Sequence, residues 1–545
     1  MIEVGSDDLV IFTNVTKTFP LVGGRYTAIR DVTLRIRRGQ IAILLGPSGC
    51  GKSTLLNLAA GLTAPTQGQV IYGGRPVTAL NPNVAYMTQA DHLLPWRSVA
   101  SNIAVPMEIA GIPRAERRER IERLLALVGL ADFPQSYPSQ LSGGMRKRAA
   151  LARLLAADRE TLLLDEPFGA LDAQLRLTLQ AELLKICREL NKTVLFVTHD
   201  IEEAAALADV CVMFQGRPGT IAGVIDNPLP KQRDLKSAAE AARSDAPALR
   251  SAAPRLHQRA LGHVDLRARR RQHRCGGDVW GATAMISTNR TVLVGARLLL
   301  LAVLLLLWQF GSTLGHFDFY VSTPGAIGAS FWSLLRSGDF AFHAGITTAE
   351  ALLGFVIGGS CGVVVGLALG RSAFLADVLD PFLTAFYSLP KVALAPLFVL
   401  WFGIGIEMKI ILAAVTVFFL VFLNTYTGVR NVSHEQLLVI RLMGANERHL
   451  LTKVVVPSAI TWVFAGLRLS VPYALIGAVV GEIIASNRGL GFLVSDAAAK
   501  FDTAGVFAAL LGIVALAMLL NFAVKQAETR LMPWKTADEL REATV

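Results

Sequence analysis

Cysteine is scarce in this sequence, and so is charge. Five cysteines, Cys50, Cys187, Cys211, Cys275 and Cys361, stand in 545 residues. None forms a CxxC pair or a metal-ligand spacing, which excludes a zinc ribbon and a disulfide framework and leaves free thiols in a reducing compartment. Charged residues are only 17% of the chain against 52% hydrophobic, and the mean hydropathy is +0.46. An ordinary soluble enzyme is excluded by that balance, and membrane spans are expected. The N-terminal run MIEVGSDDLVIF lacks the basic and apolar regions of a secretory signal, so the first half is expected to stay in the cytosol. The net charge of +11 comes without any nucleic-acid motif, so it reads as cytoplasmic membrane loops and no nucleic-acid partner is expected. Lysine is missing from residues 240–284, where nine arginines stand among Ala, Pro, Gly and His. Without a sustained apolar period this is a basic linker. It fits either an ordinary fusion linker or an out-of-frame join of two neighbouring genes, with Met285 the original start of the second.

The apolar excess is uneven. Long charge-poor runs begin only after residue 291, and the chain is too long for one core. Before that point short apolar strands, IAILL, TLLLD and TVLFVT, alternate with helical patterns at 53–60 and 115–128. That alternation predicts a mainly parallel α/β sheet.

Residues 46–53 read GPSGCGKS, the phosphate-binding pattern GxxxxGK[ST], between the strand IAILL and the helical run STLLNLAAGL. Gly46, Pro47, Ser48, Gly49, Cys50, Gly51 and Thr54 form the loop that brings backbone amides onto phosphate oxygens. Lys52 is expected to reach the β- and γ-phosphates, Ser53 to ligate Mg²⁺, and the helix N-terminus to add its dipole. TLLLDEP at 161–167 ends a buried strand in two carboxylates, Asp165 for Mg²⁺ and Glu166 as general base toward water.

LSGGM at 141–145 resembles the signature of the ABC ATPases, Gln89 in AYMTQ their Q-loop, GALD at 169–172 their D-loop, and His199 in VTHD their switch histidine. The motifs stand in the family's order, and the resemblance covers about residues 9–225. It implies a P-loop cassette that hydrolyses ATP with Mg²⁺. It also implies that Ser142, Gly143 and Gly144 contact the γ-phosphate bound to an opposite cassette. By the same resemblance Asp172 belongs to the nucleotide site, His199 touches the γ-phosphate within its own site, Gln89 senses Mg²⁺, water and the membrane domain, and Phe19 stacks on adenine with Tyr26 as the fallback. Met145 replaces the Gln of many members.

Six hydrophobic segments follow, near 292–311, 346–370, 382–402, 409–427, 460–485 and 504–524, the third interrupted by Pro390, Lys391 and Pro396. Arg430, Arg441, Arg448 and Lys453 in the loop at 428–459 place it on the cytosolic side. That loop, LVIRLMGANERHLLTKVVVP, resembles the coupling motif of ABC importers, with Gly444, Val454, Val456 and Pro457 at its fixed places but Leu438, Val439 and Ile440 instead of its leading Glu-Ala-Ala. A short amphipathic helix near 445–453, carrying Ala445, Asn446, Glu447, Arg448 and His449, is expected to dock beside Gln89. SLPKVALAPLFVLWFGIG at 388–405, RGLGFL at 488–493 and LLPW at 93–96 resemble the nitrate, sulfonate and taurine importer group, which includes importers of thiamine-precursor pyrimidines. Gly358, Gly362, Gly366 and Gly370 read as a packing face. Of the intramembrane charges, Glu350 and Arg468 read as interfacial snorkelling, and Glu350, Arg468 and Glu482 are the candidates to line a pathway.

The resemblance thus implies a cassette over 1–230, a linker over 231–288, an all-α permease over 289–535 and a cytoplasmic tail over 536–545. A homodimer of the full chain is expected in a bacterial inner membrane, among its lipids and with a separate extracytoplasmic solute-binding protein. The rival readings are an exporter, or an ATPase joined to an uncoupled membrane piece.

Overall fold

The computed structural model describes residues 7–21, 24–169, 173–227, 290–314 and 318–535. Asp172, the arginine-rich stretch 231–288 and the tail 536–545 lie outside the described residues. The chain divides into two compact units: Met1–Gly277 with Ser433–Val454, and Asp278–Val432 with Val455–Val545.

In the first unit the strands form two sheets. β1 (Asp8–Leu21), β2 (Gly24–Arg37), β4 (Gln67–Tyr72) and β5 (Arg75–Pro76) make an antiparallel sheet in the order β2-β1-β4-β5. The second sheet has six strands, in the order β10-β9-β3-β8-β7-β6. These are β3 (Ile41–Leu45), β6 (Val84–Met87), β7 (Thr161–Asp165), β8 (Thr193–Thr198), β9 (Val210–Gln215) and β10 (Thr220–Asp226). Every pairing from β9 to β6 is parallel. β3, β7 and β8 are buried at every position, as expected of parallel strands covered on both faces. β2 instead alternates buried and exposed residues along its second half, the signature of a sheet with one wet face. The helices are α1 (Lys52–Ala59), α2 (Val99–Ile109), α3 (Arg114–Leu127), α4 (Gly143–Ala156), α5 (Ala173–Glu189) and α6 (Ile201–Leu207).

The register of the large sheet positions the site. Leu45 pairs with Thr198, and Val197 pairs with Asp165. The carboxyl ends of β3, β8 and β7 therefore stand side by side, with the end of β6 beyond them. In open α/β sheets this edge is where ligands bind.

Among the described residues, five helices are long and apolar enough to cross a membrane: Leu293–Thr313, Asp339–Gly370, Ile406–Arg430, Glu447–Ala485, which begins in the first unit, and Thr503–Leu531. The third expected segment is a broken one, Phe374–Ser388 followed by Lys391–Phe402 at 80°. Pro390 sits at the break, where it removes a backbone donor and bars the residue before it from helical geometry. The glycine face packs against helix Ile406–Arg430: a Cβ on Gly358 would stand 2.2 Å from the Ala414 carbonyl oxygen. Only a missing side chain permits that approach.

One expectation is overturned here. Glu350 does not snorkel; it is 1% exposed and ion-paired with Lys409 Nζ at 3.2 Å. A helix that is apolar all round does not reveal in sequence which face is buried, so the sequence pattern alone did not find its partner 59 residues away.

Candidate functional site

The phosphate loop follows β3 and closes onto α1 with Gly51 as the N-cap at φ 90°. A Cβ there would stand 2.4 Å from Ile29 Cγ2, so both conformation and space require glycine. Lys52 is buried, and its ammonium donates to the Gly46 and Pro47 carbonyls at 2.7 and 2.8 Å. It is thus folded over the loop, with a third, weaker contact to Cys50 Sγ at 3.8 Å.

A pocket at the sheet edge is lined by Phe19, Tyr26, Ser48, Gly49, Gly51, Lys52, Ser53, Thr54, Gln89, Asp165 and Glu166. Phe19 and Tyr26 are cross-strand partners in the β1–β2 hairpin, so both expected adenine candidates stand at its mouth. Asp165 is buried at the end of β7; burial pushes its carboxyl above the usual range, while a hydrogen bond with Ser53 and the charge of Lys52 pull it back. The hydroxyl of Ser53 and the carboxylate of Asp165 together make a hard oxygen pair that fits Mg²⁺, which takes one or two protein oxygens and completes its shell with phosphates and water.

Three motifs far apart in the chain meet on Glu166. Its Oε2 accepts Gln89 Nε2 at 3.2 Å, and its Oε1 lies 3.3 Å from His199 Nδ1. Glu166 holds φ 47°, a left-handed backbone uncommon for a side chain of this size. Its backbone N–H donates to the Val197 carbonyl of β8, which fixes the turn.

Ser142, Gly143 and Gly144 do not join this pocket. Ser142 is the N-cap of α4, its hydroxyl accepting from the Met145 N–H at 3.3 Å, and it is exposed with Gly143. The sequence did not single out the ties that link α4 to the segment after β6. Lys147 donates to the Gln89 carbonyl, Arg146 pairs with Asp91 at 3.2 Å, and buried Arg153 donates to the carbonyls of Asp91 and His92, both at 2.8 Å. Spacing along α4 gave one signal: Arg146 and Arg153 are seven apart, hence on one face.

The segment Ser433–Val454 belongs to the same compact unit. Helix His434–Leu442 ends in a Schellman turn. Gly444, at φ 90°, donates to the Arg441 carbonyl, and Ala445 donates to that of Ile440. Val439, Leu442 and Met443 close over a cleft lined by Tyr86, Met87 and Thr88. Arg159 donates to the Met443 carbonyl at 3.2 Å, Trp96 Nε1 to that of Lys453 at 3.1 Å, and the Lys453 ammonium pairs with Glu108.

Two of the polar groups expected to dock, Asn446 and Glu447, are engaged within their own segment. Asn446 caps the short helix Glu447–Leu450 by accepting from the His449 N–H, and Glu447 pairs with Arg441 of its own segment. The last residues of the segment form a π turn, Leu451–Val455, rather than one amphipathic helix. Pro457 falls in the first turn of helix Val456–Ala485, where a proline is tolerated.

Residues 29–169 match the ABC transporter family, and residues 354–533 match the binding-protein-dependent transport system inner membrane component family. The chain is 44% identical over 224 residues to the ABC transporter ATP-binding protein MJ0412 of Methanocaldococcus jannaschii, covering 41% of this chain and 84% of that protein. It is 44% identical over 232 residues to the nitrate import ATP-binding protein NrtD of Synechococcus elongatus, covering 42% of this chain and 85% of that one. To the bicarbonate transport ATP-binding protein CmpC of the same organism it is 45% identical over 228 residues, 41% of this chain, and it spans only 34% of that longer protein. The permease match and the apolar helices make this a membrane protein whose cassette is its cytoplasmic component. The chain belongs to the ABC transporter family, as an importer-type ATPase cassette joined in one polypeptide to a permease domain.

Proposed function

We propose that two copies of this chain form an importer that couples ATP hydrolysis to uptake of a small anionic or polar solute of the nitrate, sulfonate and taurine class. The observation that carries the reading is the separation of the signature from the pocket. Ser142 and Gly143 are exposed at the start of α4, while Lys52, Ser53 and Asp165 line a pocket that lacks them. A second copy facing the first would complete each site with the other's helix N-terminus, a natural anion seat. The solute class rests on the permease resemblance of residues 388–405 and 488–493, and on relatives named for nitrate import and bicarbonate transport.

In this reading ATP lies along α1, with Phe19 or Tyr26 against the base and the loop amides on the phosphates. Ser53 and Asp165 hold Mg²⁺, which when bound offsets the charge of the phosphate oxygens. Lys52 neutralises charge at the β- and γ-phosphates. Glu166 accepts the proton of the attacking water, Gln89 and His199 orient its carboxylate, and Asp172 belongs to the same nucleotide site. Hydrolysis changes the hold of Gln89 on Glu166, and the segment beside it passes that change to Gly444–Glu447 and through Pro457 into the spans. A separate solute-binding protein delivers cargo from the far side of the membrane.

The test is ATP hydrolysis by the full chain in lipid vesicles, with its neighbouring solute-binding protein and a panel of nitrate, sulfonates, taurine and pyrimidine precursors, and with Glu166→Gln as the blank. Stimulation by one loaded binding protein establishes import and names the cargo. Stimulation only by compounds added on the cassette side replaces import with export. Mixing inactive Lys52→Ala and Ser142→Arg chains tests the dimer, since one composite site in two regains both halves.

A further inference from the structure

Three charged side chains that the nucleotide cycle does not use are buried together in the second unit. Glu350 and Glu482 are each 1% exposed and Lys409 is 6% exposed. Lys409 Nζ donates to Glu350 Oε1 at 3.2 Å and to Ser486 Oγ at 2.7 Å. Glu482 Oε1 accepts from Thr347 Oγ1 at 2.7 Å, and its Oε2 accepts from the Gly491 N–H at 2.6 Å. The turn before helix Leu490–Ala499 is drawn tightly onto this group. Gly489 has φ 103°, and a Cβ on it would stand 2.0 Å from Glu482 Oε1. Leu490 N–H donates to Thr347 Oγ1 at 2.9 Å, and Gly489 N–H to His343 Nδ1 at 2.9 Å. The other cation near this turn, Arg488, lies over the Phe342 ring at 5.9 Å.

The account of donors and acceptors does not close with both carboxyls ionised. Glu350 Oε2 is buried and receives no N–H or O–H from its surroundings. Thr347, which donates to Glu482 Oε1, stands one turn before Glu350 on the same helix, which brings the two carboxyl groups to one face. An ionised carboxylate only accepts, so two of them cannot satisfy each other. Two negative charges against one ammonium would also leave a net charge in an apolar interior, which is costly in a membrane.

We propose that Glu350 and Glu482 share one bound proton, so that with Lys409 they form an electroneutral clasp on three spans. The proton supplies the missing donor and balances the charge in one step. The clasp has a defined place. Lys409 lies in the first turn of helix Ile406–Arg430, and Glu482 in the last turn of helix Val456–Ala485. The opposite ends of both helices, Arg430 and Val456, flank the segment Ser433–Val454. At 1.5 Å per residue the clasp lies roughly 30 Å along its helix from Arg430, about the thickness of the hydrocarbon core. It therefore joins the spans and the Ser486–Gly491 turn at one end of these two helices.

Infrared spectroscopy of the full chain in lipid at neutral pH tests this without ATP or cargo, so its failure is distinct from failure of the importer reading. The wild type is expected to show the carbonyl stretch of a buried protonated carboxyl, shifted in heavy water. That band is lost in Glu482→Gln and equally in Glu350→Gln, each of which leaves one carboxylate opposite Lys409. Should one variant fail to fold, the other gives the same readout. Thermal stability of the wild type is expected to fall as pH rises and the shared proton leaves, and Glu482→Gln to flatten that fall. A folded wild type without the band, or with a band that both variants retain, overturns the proposal.

Discussion

His199 Nδ1 stands 3.3 Å from one oxygen of the Glu166 carboxylate, 33 residues away in sequence, while Gln89 holds the other oxygen. The pair is set by β7 and β8, which end side by side. If Glu166 is the general base, Glu166→Gln lowers ATP turnover by about 10²- to 10⁴-fold while nucleotide binding persists. His199→Ala leaves the base in place but free to turn, so a smaller loss is expected. Steady-state hydrolysis beside binding of a fluorescent ATP analogue distinguishes the two.

Trp96 donates its indole N–H to the Lys453 carbonyl at 3.1 Å. Trp96→Phe removes that donor and keeps most of the ring. One such bond contributes about 1 kcal/mol, close to a fivefold change in an equilibrium. Basal hydrolysis should stay near wild type, and cargo-stimulated hydrolysis should fall about fivefold. Equal loss of both activities would place Trp96 in the cassette's own stability instead.

Glu108 gathers cations, Arg97 at 3.1 Å, Arg117 at 3.5 Å and the Lys453 ammonium. Burial opposes its charge, but the hydrogen bonds and charges of Arg97 and Lys453 outweigh burial and hold the carboxyl below its usual range. A carboxyl depressed by folding stabilises above its unfolded range, and the contribution is lost as pH falls through the folded value. Wild-type thermal stability is therefore expected to drop on acidification in a way that Glu108→Gln, already weaker at neutral pH, does not share. Parallel curves for the two proteins from neutral pH into acid would remove Glu108 from this role.

Gly358 and Gly359 are neighbours with different surroundings. A Cβ on Gly358 meets the Ala414 backbone at 2.2 Å, whereas on Gly359 it meets the end of the Leu467 side chain at 3.2 Å. Backbone cannot yield as a side-chain tip can. Gly358→Ala is expected to destabilise the permease by about 1–3 kcal/mol and Gly359→Ala by less. Melting of the detergent-solubilised chain measures both, and equal melting temperatures would contradict the packing argument.

The nucleotide loop, the DE pair and the signature were legible because each is contiguous: a few residues between one strand and one helix define the local geometry. The apolar spans were legible because a span needs only length and composition. Thiol burial was not: Cys187 and Cys211 are pushed up to about 12 and about 11 by desolvation, which depends on what covers them. The role of Asn446 also escaped, because a polar residue beside a turn can cap a helix or face a partner with the same sequence around it.

By itself, then, the sequence determined that a phosphate-binding cassette precedes a set of membrane helices, since strand, loop and helix signals are local and hydrophobic length is additive. The tertiary structure decided which distant side chains meet. Parallel strand register brought Gln89, Glu166 and His199 to one carboxylate. Helix packing around missing side chains put Glu350 against Lys409. Those meetings depend on rotation and register between elements far apart in the chain, and a linear pattern of apolar and charged residues carries neither.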